Sequence, residues 1–185
     1  YLPDAPPAAK PTIGPSRILP PAMRAPDEAR QVARRLLAKA AGRLRRYGLT
    51  ASALACSARL ETGLRWAGET RLEATQDSFA LLAAFEALWR DYRPVGGSGR
   101  VKKVAVTLLG LAPMEQQAPD LFAAAEPGRQ QRQQLRGRLA GALDRLNGKY
   151  GSDTVTLGLL PKVGLEYAGA KVAFTRIPDR EEFSE

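Results

Sequence analysis

Between Pro26 and Leu109 the apolar residues change their spacing three times, and that alternation limits the folds open to the chain. From Ala29 through Val32, Ala33, Leu36, Leu37, Ala40 and Leu44 to Tyr47 they recur every three or four residues, one stripe of a helix. Pro26 suits the first helical position, Asp27 and Glu28 complement the dipole there, and Gly48 is a stop. From Thr50 to Leu60 the period falls to two, with Leu54, Cys56, Ala58 and Leu60 on one face. Glu61-Thr62-Gly63 reads as a hairpin turn into a second strand, Leu64 to about Leu72, with Leu64, Trp66, Thr70 and Leu72 on one side. Helical spacing returns at Phe79, Leu82, Phe85, Leu88, Trp89 and Tyr92, behind a cap at Thr75 or Asp77 and ending before Pro94. Arg100 to Leu109 alternates again, with Val104, Val106 and Leu108 together.

One more strand precedes these, Thr12 to Leu19, whose Pro15 suits a sheet edge. The order is then β-α-β-β-α-β. Two one-sided helices and four one-sided strands bury one another when both helices cover the same sheet face. The expected fold is α+β: a ferredoxin-like sandwich over residues 12–112, with a four-stranded sheet and two helices on one face. The other sheet face stays open and carries Ser57, Arg59, Arg65, Arg71, Lys103 and Thr107. Residues 1–11, with four prolines, read as a linker, and 113–128 as a second one. A small C-terminal extension, 129–185, holds a third helix from about Arg129 to Asn147, with Leu135, Leu139, Leu143 and Leu146 on its stripe. Asn147-Gly148 is expected to end that helix; strands are expected near Asp153–Leu160 and Lys171–Arg176.

Composition narrows the chemistry. The chain has no histidine, so a Ser-His-Asp triad, a histidine base and histidine-ligated zinc are excluded. One cysteine, Cys56, allows no disulfide within the chain and fits a cytoplasmic setting. No apolar run approaches a membrane span, so no membrane partner is expected. Tyr1-Leu2-Pro3-Asp4 is not a signal peptide and does not begin with Met, which suggests a piece of a longer protein. The net charge of +9 is uneven. Residues 1–125 hold 18 basic and 11 acidic side chains, a difference of +7, against 10 and 8, or +2, in 126–185. A basic first part points to phosphate-bearing partners.

Several stretches resemble the C-terminal region of Y-family translesion DNA polymerases of the UmuC/ImpB/MucB/SamB type, the little-finger domain with its extension. They are PTIGPSRILPP at 11–21, RLRRYGLTA at 43–51, ATQDSFALLAAFEALW at 74–89, RVKKVAVTLLGLAP at 100–113 and ALDRLNGKYGSDTVTLG at 142–158. The resemblance implies a domain that grips duplex DNA by its backbone during DNA damage bypass in an SOS-type response. It also implies that nucleotidyl transfer, with its Mg ions, belongs to a palm domain outside this chain. No cofactor and no catalysis are then expected of these residues, and the rest of the polymerase is an expected partner. A bypass enzyme holds damaged and intact sequence alike, so contacts go to phosphates, which carry no sequence information. The candidates are Ser57, Arg59, Arg65, Arg71, Lys102 and Lys103, plus Arg17 with backbone N–H groups near Gly14 and Ser16. On a regular strand only one of Lys102 and Lys103 faces the groove, and Lys103 is the choice. The arginines of the long basic helix point away from the open face once its stripe is packed.

In the second linker Gln116-Gln117-Ala118-Pro119-Asp120-Leu121-Phe122 resembles the bacterial sliding-clamp-binding peptide. Asp120, Leu121 and Phe122 match its end, and Gln117 stands one residue too far upstream. The resemblance makes the clamp a partner. Three rival classes remain: an RNA-recognition module, which would need aromatics on its central strands; a polymerase-derived interaction scaffold that no longer binds DNA; and a small ferredoxin-like enzyme.

Overall fold

The computed structural model describes residues 12–92, 99–114, 128–151 and 154–158. Helix α1 (Pro26–Arg46) starts on Pro26 with Asp27 and Glu28 in its first turn and ends where Gly48 takes a φ of 62°. Strand β2 (Leu49–Leu60) turns through Gly63, at φ 90°, into β3 (Arg65–Thr75). The Leu60 N–H meets the Leu64 carbonyl at 2.8 Å, which closes the turn and sets the register of both strands. Helix α2 (Ser78–Arg90) opens with two stacked local bonds: Asp77 Oδ1 accepts the Phe79 N–H at 2.9 Å, and Thr75 Oγ1 accepts the Asp77 N–H at 3.0 Å. Both residues read as caps in the sequence are therefore used.

Strand β1 (Ser16–Ile18) lies at one edge of the sheet and β3 at the other, in the order β1-β4-β2-β3, with β4 (Val101–Leu109) and β2 in the centre. All pairs are antiparallel. A two-residue strand, β5 (Ala112–Pro113), adds to the start of β2 opposite Leu49 and Thr50. It is too short to show an alternation in the sequence.

Both helices pack on one sheet face. Leu54, Val104, Val106 and Leu108 from the sheet meet Leu37, Leu44, Leu81 and Phe85 from the helices, all with essentially no exposed surface. Each such side chain is worth about 1.5–3 kcal/mol on burial. Trp66 of β3 joins this side, edge-on to Trp89 at 5.7 Å and to Tyr92 at 5.4 Å. Tyr92 in turn donates its hydroxyl to the Gly99 carbonyl at 3.2 Å. The two-layer α+β sandwich expected from the sequence is the fold observed.

Three local expectations are corrected. The first strand is shorter than Thr12–Leu19: regular pairing covers Ser16–Ile18, with an isolated bridge from Ile13 to Leu108. Pro15, without an N–H, interrupts the ladder and contributes only its carbonyl, to the Val106 N–H at 3.1 Å. Helix α3 (Arg129–Tyr150) runs through Asn147-Gly148 instead of ending there. Residues 154–158 form bends and no strand. The Asn147 side chain occupies the Val155 peptide, donating to its carbonyl at 2.8 Å and accepting from its N–H at 2.9 Å.

The seat of α3 lies beside its leucine stripe. Of the leucine stripe, Leu135, Leu139 and Leu146 are 57%, 47% and 41% exposed, while Leu143 is half-buried. The helix sits on Arg136, Ala140 and Asp144, spaced four apart. Ala140 is 2% exposed, Asp144 pairs with Arg45 of α1, and Arg136 lies 3.6 Å from Asp77 and over the Phe79 ring. The expected linker at 1–11, residues 115–127 of the one expected at 113–128, and the expected strand at 171–176 fall outside the described residues.

Candidate nucleic-acid interface

The open sheet face is ordered in rows across the strands. Arg59 stands directly opposite Arg65 on one side and Lys103 on the other, and Lys103 opposes Ile18 of β1. Arg59, Arg65 and Lys103 are all exposed. With strands about 4.8 Å apart, three cations cross the sheet within about 10 Å. The next row is Ser16, Ala105, Ser57 and Ala67; the one after holds Thr107, Ala55 and Glu69. The floor behind the cations is thus built of small side chains. Gly14 continues it, because a Cβ there would lie 2.9 Å from Thr107 Oγ1.

Lys102 changes the expectation of a single outward lysine. Arg59 opposes Lys103 and Leu60 opposes Val101, so β4 carries one extra residue, a bulge at Lys102. The parity rule assumes a regular strand and fails here: both lysines are exposed. The bulge places a fourth cation at the same end of the sheet.

Two other candidates sit differently from the sequence reading. Arg17 opposes Val104, a core position, so it shares the parity of the helix-covered face, while Ser16 and Ile18 belong to the open one. Arg71 is exposed on the open face beside Ala53, but Glu69 and Glu73 flank it two residues away on the same strand. The outward side of β3 is therefore balanced in charge, and the excess gathers at the hairpin end.

Glu61, the acid nearest that end, is already engaged. It accepts Arg24 at 2.8 Å and Arg100 at 3.1 Å. The Arg24 hydrogen bond above all, with Arg100 beside it, holds the Glu61 carboxyl below the usual glutamate range against a smaller opposing desolvation.

Helix α1 spends several arginines inside the domain. Arg30 and Arg34 both bind the Glu86 carboxylate of α2, and Arg45 binds Asp144 and the start of α2. The helix lies on the face opposite the cation row. The aromatic requirement of an RNA-recognition surface is not met either. The central strands β2 and β4 carry no aromatic residue, and Trp66 is turned to the helices. Cys56 is buried, and desolvation pushes its thiol up to about 12, so it is no nucleophile as folded. Among the described residues no group of three acidic or thiol side chains could hold a metal ion, nor is any helix long and apolar enough to cross a membrane. Gln117, Asp120, Leu121 and Phe122 lie outside the described residues.

The cation row was within reach of the sequence. A three-residue turn pairs Leu60 with Leu64, and counting back one step aligns Arg59 with Arg65. The bulge has no comparable marker in Lys102-Lys103.

Residues 10–121 match the family model described as the impB/mucB/samB family C-terminal domain. A solved chain described as a complex of beta-clamp processivity factor and the little finger domain of PolIV is similar in part. It is 18% identical, with a TM-score of 0.43 over 60% of this chain and 97% of that one. No curated protein matches the sequence.

Proposed function

The chain belongs to the impB/mucB/samB family through its C-terminal domain, the little-finger region of a Y-family translesion polymerase, and from that premise we propose that its open sheet face grips the backbone of duplex DNA. The observation that carries this reading is the row Lys103, Arg59 and Arg65. Like charges directly opposite one another across strands are destabilising. A fold that lines up three of them accepts a standing cost that a polyanion removes. The small side chains behind the row let a sugar-phosphate backbone approach the strands closely. Lys102 adds charge beside the row; Ser16, Ser57 and the backbone near Gly14 supply hydrogen-bond donors on the same face; Arg71 serves at the margin.

Affinity on this reading depends on salt and not on sequence, because the contacts release counterions and touch no base edge. The test is duplex binding across a salt series. Each of Lys103→Gln, Arg59→Gln and Arg65→Gln should weaken binding evenly across unrelated duplexes and lower the log–log salt slope by about one. Unchanged slopes in all three would sink the reading.

The magnesium ions implied by the family belong to a palm domain, and since the described residues offer no acidic cluster for one, no step through a metal is assigned to them. The role proposed for the chain is non-catalytic. Tethering to the sliding clamp is proposed through Asp120, Leu121 and Phe122, with Gln117 fixing register. The peptide resemblance and its place at the end of the matched domain support this. Leu121→Ala with Phe122→Ala should abolish co-elution with the clamp; equal co-elution of wild type and double variant would refute it.

A further inference from the structure

Helix α3 turns its apolar seam outward. Exposed Leu135, Leu139 and Leu146, with half-buried Ala142 between the last two, follow one another at spacings of four, three and four, while the helix rests on Arg136, Ala140 and Asp144. The seam lies about a third of a turn from that seat. A four-three-four spacing is the pattern that one helix offers another, narrower than the broad apolar face that inserts into a lipid surface.

Charge selects the kind of helix. Along the side of the seam away from the domain stand Arg138, Arg145 and Lys149, all exposed. The only acid in α3 is Asp144, and Arg45 holds it in the seat. A second copy of the chain would bring the same cations against these. A nucleic acid would satisfy the cations and leave the leucines in water. We propose that the outward seam of α3 docks an acidic amphipathic helix of a partner protein, its apolar residues between Leu135, Leu139 and Leu146 and its carboxylates against Arg138 and Arg145. This interface lies on α3 and uses no residue of the sheet face, so it stands or falls separately from DNA binding.

The test uses the full chain and a fluorescein-labelled synthetic helix of three heptads with Leu at a and d and Glu at e and g. Fluorescence anisotropy should show saturable binding that weakens with salt. Leu139→Gln with Leu146→Gln, which leaves charge unchanged and alters only exposed side chains, should weaken it at least about tenfold. Arg138→Gln with Arg145→Gln should do the same and flatten the salt dependence, while Lys103→Gln should leave it intact. Binding that survives the leucine pair, or equal binding of polyglutamate, would overturn the proposal. So would wild-type self-association at micromolar concentration, or anionic phosphatidylglycerol vesicles bound in place of the peptide.

Discussion

Arg45 grips both oxygens of the Asp144 carboxylate, Nε to Oδ2 at 2.6 Å and Nη2 to Oδ1 at 2.8 Å. Its remaining nitrogen, Nη1, donates to Ser78 Oγ at 2.8 Å and to the Gln76 carbonyl at 3.1 Å. One guanidinium thus ties the end of α1, the start of α2 and the middle of α3. The planar fork suits this, and a lysine could not span the same acceptors.

Asp144→Asn should loosen α3 and little else. The carboxylate is partly exposed, so the loss is about 1–2 kcal/mol, below the range for a fully buried pair. Native-state hydrogen exchange is the measurement. Amides of α3 should exchange faster while those of β2 and β4 keep wild-type protection. Uniform change across the domain would refute local seating.

Gly110 leaves β4 at a φ of 60° and accepts the Ser52 hydroxyl at 3.2 Å. A Cβ there would fall 2.0 Å from Ser52 Oγ, a side-chain end that can rotate away at the cost of that bond. Gly110→Ala should therefore cost about 1–2 kcal/mol for the left-handed backbone plus part of a hydrogen bond. Gly110→Asn, better suited to that region, should cost less, as read by thermal midpoints.

Cys56, buried under the helices, should ignore Ellman's reagent at pH 8 in the native state and react promptly in urea. With the thiol pushed up to about 12 by desolvation, the thiolate is scarce as well as covered. Prompt native-state labelling would contradict the core position of β2.

Glu61 predicts an acid limb. Its carboxyl is lowered in the folded state, first by the Arg24 hydrogen bond and further by Arg100. Its stabilisation is in full force above the ordinary glutamate range and is lost as pH falls through the lowered value. Glu61→Gln should flatten the decline of stability in that acidic window and leave the slope near neutrality unchanged, as read by urea midpoints against pH.

What could be read in advance followed local rules. The Pro26 start, the Asp77 cap, the Gly63 turn and the faces of β2 and β4 depend on near neighbours, and period and capping expose them. Arg59, Arg65 and Lys103 were found by parity, but their alignment into one row came from register. Arg17 was named without a register, and its pairing with Val104 gives it the parity of the helix-covered face. The seat of the third helix was not legible for a different reason. Its leucine spacing is genuine, but Arg45 and the cap Asp77 on other elements decide which side is seated. That choice depends on side chains about a hundred residues away in one case and about sixty in the other, beyond any local pattern.

Seating α3 chiefly on ions, with Ala140 its one fully buried apolar residue, gives that arm an unusual thermal signature. Its release wets little hydrocarbon and so carries almost no heat-capacity increment, the quantity by which calorimetry recognises unfolding. A heating scan should show a single endotherm from the sandwich, with the arm silent inside the baseline. Concentrated salt, which screens the Arg45 and Arg136 contacts, should free the same arm at constant temperature.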